Sequence, residues 1–168
     1  MRKSFRAEVT SLCLFCYTGA KQQERGIHMN VIYHFQPTAP YSLHDMRVNR
    51  IERTGENLRF CFETGYVELK GENRQVSGDL LIERVSMAFS DVYFLSENGA
   101  YGTFQGQRME LESFLDRYRD ISFEILDEAY GYHTVTYRGY LSLPDREPLM
   151  EVMLSLYYTG NIVYEVQE

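Results

Sequence analysis

Near the end of the chain Met150, Val152, Leu154, Leu156 and Tyr158 stand at every second position, and Ile162, Tyr164 and Val166 repeat the spacing after Thr159-Gly160-Asn161. A period of two places these side chains on one face of an extended strand, which commits the segment to a half-buried sheet and excludes a helix. The intervening Thr-Gly-Asn reads as the turn of a hairpin. A C-terminus of this kind is tied into a sheet.

Similar patterns recur upstream. Asn30 to Gln36 reads as a strand stopped by Pro37-Thr38-Ala39-Pro40, because proline removes a ladder donor. Val48 and Ile51 anchor a strand over Met46 to Arg53, and Leu58, Phe60 and Phe62 return it as a hairpin after Thr54-Gly55-Glu56-Asn57. Tyr66 to Lys70, Leu80 to Phe89 and Val92 to Leu95 read as further extended runs. Ile121, Phe123 and Ile125 alternate, Tyr130-Gly131 turns the chain, and Tyr132 to Leu143 follows before a loop bracketed by Pro144 and Pro148. One segment breaks the rule: Leu111, Phe114, Leu115 and Tyr118 fall at i, i+3, i+4 and i+7, so a helix is predicted over Gln107 to Arg119. Its early Glu110 and Glu112 and late Arg117 and Arg119 follow the order that the helix dipole favours.

Composition agrees. The chain holds 14 Tyr and 10 Phe with no Trp, and Tyr and Phe fit a pleated, half-buried surface. The fold expected is mainly β (α+β), an antiparallel β-sandwich or open barrel of about nine strands with one amphipathic helix near 107–119.

The 168 residues carry a formal charge of −7, unevenly spread. Residues 1–28 hold Arg2, Lys3, Arg6, Lys21 and Arg25 against Glu8 and Glu24, a local +3, which leaves −10 on the remainder. A body of that sign is repelled by phosphate backbones and anionic lipid, so nucleic acid and membrane are not expected partners. No apolar run approaches the roughly 20 residues that cross a bilayer.

The basic segment is read as a tail or a mis-called start, with a single β-rich domain over 29–168. Glu8 interrupts a signal-peptide reading, and no small-x-small cleavage site follows, so a cytoplasmic location is expected. Gln23-Glu24-Arg25 can be encoded by a purine-rich, ribosome-binding type of sequence a few codons before Met29. Cys13 and Cys16 form a C-x-x-C within the tail, but two further ligands of matching spacing are missing. Cys61, between Phe60 and Phe62, reads as a small apolar residue.

The chemistry-bearing residues are few. His44-Asp45 pairs an imidazole with a carboxylate, the types used for acid-base work or metal ligation, although neighbours in a strand point to opposite faces. Asp127-Glu128 and Glu110/Glu112 read as solvated faces. Tyr130, Tyr132, Tyr137 and Tyr140, near His133, offer flat area with polar tips, as a binding surface or as sheet packing. There is no Gly-x-Ser-x-Gly and no Gly-Lys-Ser/Thr phosphate loop, so neither acyl-enzyme chemistry nor nucleotide hydrolysis is expected. The binding candidates are His44, Asp45, Tyr130, Tyr132 and His133, with no catalytic residue, metal or cofactor assigned.

At Leu43-His44-Asp45, followed by Val48, Ile51, Leu58-Arg59-Phe60 and Gly65-Tyr66, the sequence resembles small uncharacterised bacterial β-rich domains, some of which are filed as immunity proteins of polymorphic toxin systems. The resemblance implies a cytoplasmic protein that binds one protein partner and catalyses nothing. Negative potential suits an inhibitor that must meet a basic nuclease quickly. The alternative is a small-ligand carrier or an enzyme using a pocket inside the sandwich or barrel. A deep pocket with converging polar groups would favour it, and a filled core with an exposed acidic or aromatic patch would favour the binding domain.

Overall fold

The computed structural model describes residues 28–36, 38–97, 106–119, 121–143 and 146–167. The proposed tail, apart from His28, lies outside these residues, as do Cys13 and Cys16. Strands run over His28–Ile32 (β1), Tyr41–Ser42 (β2), Met46–Thr54 (β3), Asn57–Phe62 (β4), Tyr66–Glu68 (β5), Gln75–Ile82 (β6), Asp91–Glu97 (β7) and Gln107–Glu110 (β8). After helix α1 (Leu111–Arg117) come Ser122–Gly131 (β9), Thr134–Leu143 (β10), Arg146–Tyr157 (β11) and Ile162–Gln167 (β12).

Every pairing is antiparallel, and the main path of the sheet is β1-β12-β6-β4-β3-β9-β10-β11-β7-β8, with β2 and β5 attached beside β6. The protein is therefore mainly β, an open antiparallel sheet with one short α-helix among the described residues. The sheet is rolled. β12 and β9 are four positions apart, about 19 Å in a flat sheet of normal strand spacing, yet the hydroxyls of Tyr164 and Tyr130 are 2.9 Å apart. Phe60 on β4 likewise meets Tyr137 on β10, ring centroids 5.5 Å apart.

The concave face holds the core. Val48, Leu58, Phe60, Leu80, Ile82, Phe123, Ile125, Tyr137, Val152, Leu154 and Tyr164 are all buried there. Period-2 alternation is the cause: each strand sends alternate side chains inward, seen plainly in β7, where Val92, Phe94 and Ser96 are buried and their neighbours half-exposed. No helix among the described residues is long and apolar enough to cross a membrane.

Four elements depart from the sequence pattern. Among the described residues twelve strands appear rather than about nine, since two-residue β2 and four-residue β8 are too short to show a period. The helix begins at Leu111, because Gln107–Glu110 hydrogen-bonds to β7 as a strand first. Its apolar face is as expected, with Leu111 and Phe114 buried and Phe114 and Tyr118 packed on Phe94. The run over Leu80 to Phe89 ends as a strand at Ile82, where Arg84 turns to φ 52°, and Met87–Phe89 forms a 3-10 turn.

The fourth departure is the C-terminal hairpin, which does not form: β11 pairs with β10 and β7, whereas β12 pairs with β1 and β6. The chain leaving β6 passes between them. Val85 bridges Tyr158, the Ser86 amide donates to the Tyr157 carbonyl, and the Glu83 amide donates to the Asn161 carbonyl.

Candidate functional site

The chemistry-bearing side chains gather along β9, and one irregularity of that strand decides which of them face inward. Arg138 pairs with Asp127 and Gly139 pairs with Ile125, so Leu126 is an extra residue, a β-bulge. Gly139 permits it: a Cβ there would stand 1.8 Å from the Glu124 carbonyl oxygen. Before the bulge the buried residues are Phe123 and Ile125; after it the parity flips, and Glu128 and Tyr130 turn inward while Asp127 and Ala129 are exposed.

The bulge also anchors the Leu43-His44-Asp45 segment, which is a β-turn rather than a strand. The Met46 amide donates to the Leu43 carbonyl at 3.0 Å, and Asp45 adopts φ 61°, which aspartate tolerates better than most residues. Ser42 Oγ accepts from the His44 amide. Against β9, His44 Nδ1–H donates to the Leu126 carbonyl at 2.6 Å, and the Asp45 amide donates to the Ile125 carbonyl at 2.8 Å. The Leu43 amide donates to Glu128 Oε1 at 3.0 Å. In the turn the His44 and Asp45 side chains do face one another, Nε2 to Oδ1 3.5 Å, contrary to the strand-based expectation.

Inside the roll, Tyr130 O–H donates to Glu128 Oε2 at 2.6 Å, and Tyr164 O–H donates to Tyr130 at 2.9 Å. Tyr137, the direct cross-strand partner of Glu128, is fully buried, and its hydroxyl has no hydrogen-bond partner. Tyr33 stacks at 4.7 Å on Tyr130, and Tyr41 and Tyr66 close around Tyr164 at 4.9 and 5.4 Å. Burial lifts the Glu128 carboxyl above the usual glutamate range. The hydrogen bonds from Tyr130, Leu43 and Ser42, and the charge of His44, pull the other way. Burial likewise raises Tyr130, Tyr137 and Tyr164, so all three stay protonated at neutral pH.

A second cluster lies at the tip of the β9–β10 hairpin. His133 sits at φ 56° in a two-residue turn with Tyr132, ring centroids 4.2 Å apart. Tyr33, Phe35, Tyr132, His133, Tyr158 and Asn161 border a notch of about 160 Å³. Phe35 and Tyr132 stand on its rim, 72% and 84% exposed. The aromatic surface continues from His133 to Tyr157 and on to Phe89, which is 74% exposed, at centroid separations of 6.3 and 5.9 Å.

One wall of the notch is firmly held. Glu83 Oε2 accepts from both the amide and the side-chain nitrogen of Asn161, and Arg84 donates to the Thr159 carbonyl at 2.6 Å. Gly160 packs so tightly on Glu83 that a Cβ would meet its Cβ at 2.5 Å.

The structure thus divides the five candidates. Tyr130 bonds Glu128, His44 lies near it with Asp45 facing His44 on the outer side of the turn, and Tyr132 and His133 lie at the hairpin tip. Tyr137 is core, as the sheet-packing alternative has it. Among the described residues no three His, Cys, Asp or Glu side chains converge closely enough to hold a metal ion. Cys61 is half-buried on β4, and burial raises its thiol pKa. Glu128 corrects the solvated-face reading, and Phe35, Phe89 and Asn161 carried no signal of their own. A glycine inside the β10 pattern was the available clue, since it marks a bulge or a close approach. No protein-family model matches this chain, and no curated protein or solved structure matches it.

Proposed function

We infer that this protein is a non-enzymatic binding domain that grips a protein partner through the aromatic notch at the β9–β10 tip. One observation carries the reading: among the described residues the most exposed aromatic side chains gather at one end, Phe35 and Tyr132 on the rim of a small notch and Phe89 on the aromatic surface that continues from it, while the concave face of the sheet is lined with buried side chains. A notch of about 160 Å³ is below the size of small-molecule sites and suits one anchoring side chain. Exposed tyrosine and phenylalanine supply contact area at low entropic cost.

The charge of −10 over residues 29–168 supports a basic partner and speeds its approach. The sharpest form of the reading is neutralisation of a basic toxin domain in the cytoplasm, in line with the resemblance at Leu43-His44-Asp45, without contact to nucleic acid or lipid.

Affinity capture from the native cell, run in parallel with the full chain and a Phe35→Ser/Tyr132→Ser variant, tests this. The expected result is one stoichiometric protein retained by the wild type and lost by the variant. A protein retained equally by both would overturn the assignment of the notch.

A second reading, a small-ligand carrier or enzyme, is favoured by one feature, the inward Glu128 carboxyl with tyrosine hydroxyls around it. Recovery of a small molecule with no retained protein would select it.

A further inference from the structure

The notch at the β9–β10 tip is walled by rings set steeply against one another. His133 meets Tyr132 at an interplanar angle of 67° and Tyr158 at 73°, with centroids 4.2 and 6.2 Å apart. Tyr33 and Tyr158 are buried in its lining, and Phe35 and Tyr132 stand exposed on its rim. Adjacent walls of a box stand nearly perpendicular, and rings arranged in that way bring several π faces to one space. The face of an aromatic ring is the negative part of its quadrupole and attracts a cation.

The one side-chain amide of the lining is fixed in orientation. A carboxylate oxygen accepts, so the atom that Glu83 Oε2 holds at 2.8 Å must be the Asn161 side-chain nitrogen; the same oxygen accepts from the Asn161 backbone amide at 3.2 Å. Asn161 Oδ1 is thereby left as an acceptor at the notch. An aliphatic or aromatic head seated there would strip water from that oxygen and offer it no donor, at a cost. An anionic head would meet ring faces, an acceptor and the net −10 of residues 29–168. A cation that only donates suits all three.

We propose that the notch is an arginine socket, which takes the guanidinium of one arginine of a basic protein partner. The plane of the guanidinium lies against the rim rings of Phe35 and Tyr132, and an N–H at its edge reaches Asn161 Oδ1. This rests on the reading of the notch as the partner-binding site and names what fills it. Guanidinium suits the socket better than ammonium, because it is planar, weakly hydrated and keeps its donors in the plane while its face is stacked.

The test uses capped tripeptides with glycine on either side of arginine, lysine, citrulline or leucine. Each is titrated into the full chain while the ring signals of Tyr132, His133 and Tyr158 and the side-chain amide of Asn161 are followed by NMR. Citrulline keeps the shape of arginine without its charge, and leucine is apolar. The arginine peptide is expected to bind the notch about five-fold more tightly than the citrulline and leucine peptides, and more tightly than the lysine peptide. Phe35→Leu/Tyr132→Leu keeps apolar area on the rim and removes the π faces. There, arginine binding should weaken about five-fold while leucine binding holds. Both side chains are exposed, so the fold is not at stake. Citrulline binding equal to arginine, preference for leucine or lysine, or a notch silent to the arginine peptide would overturn the socket. Preference for leucine, with the captured partner still lost by Phe35→Ser/Tyr132→Ser, would remove the arginine and leave the notch as the partner site. Retention of the partner by that variant would remove both.

Discussion

Gly139 shows how much of the interior rests on one residue. Its backbone lies where a methyl group would meet the Glu124 carbonyl oxygen at 1.8 Å, so the close approach that allows the Leu126 bulge exists only with glycine. Gly139→Ala must push the strands apart or erase the bulge. Erasing it would restore the parity of β9 and exchange Glu128 and Tyr130 for Asp127 and Ala129 on the inner face. We expect a loss of about 3 kcal/mol or more, in the range of severe core overpacking, measured by urea denaturation. A variant as stable as the wild type would mean that the bulge is not needed.

The same residue marks the limit of what the sequence discloses. Phe123 and Ile125, both buried, were legible as one face from period two alone. The inward turn of Glu128 was not, since it depends on a one-residue offset that alternation over a short window does not reveal.

At the scale of elements, strand identity was easier to read than strand partnership. The alternation in β11 and β12 is unambiguous, yet it carries no information about neighbours, and Glu83 to Ser86 separates the two strands by taking hydrogen bonds from both sides of the turn. The four-residue connection looked like a hairpin because its sequence suits one. The helix offers the opposite case. Its i, i+3, i+4, i+7 face was correct, but Gln107–Glu110 has no such face and pairs with β7 instead.

α1 adds little by its own hydrogen bonds at seven residues, so its place depends on packing. Phe114, 1% exposed and in ring contact with Phe94 and Tyr118, is the main anchor. Phe114→Ala should cost about 3–5 kcal/mol of stability, with hydrogen exchange accelerated first in α1 and β8. A cost near zero would show that the helix merely rests on the sheet.

For the whole molecule, the rolled sheet separates two environments that the sequence lists side by side. Tyr130 and Tyr132 are two residues apart, yet one is half-buried with its hydroxyl in an inward network and the other stands exposed at a hairpin tip. The turn at Tyr132-His133 ends the alternation and makes the difference. The outer surface is laced with ion pairs such as Arg47 to Glu124, Arg59 to Glu165 and Arg53 to Glu112. Exposed pairs of this kind are worth little individually. Stability rests on the buried side chains of the concave face, and the recognition proposed above on the aromatic end, which lets the two be altered independently.

The most direct test of the account is a map of backbone and side-chain NMR shifts on the full chain as the captured partner is added. The account predicts large changes at Phe35, Tyr132, His133, Tyr158 and Asn161, with Glu128, Tyr137 and Tyr164 nearly unmoved. Changes concentrated on those three interior residues, with the notch silent, would contradict it and move the binding site inside the sheet.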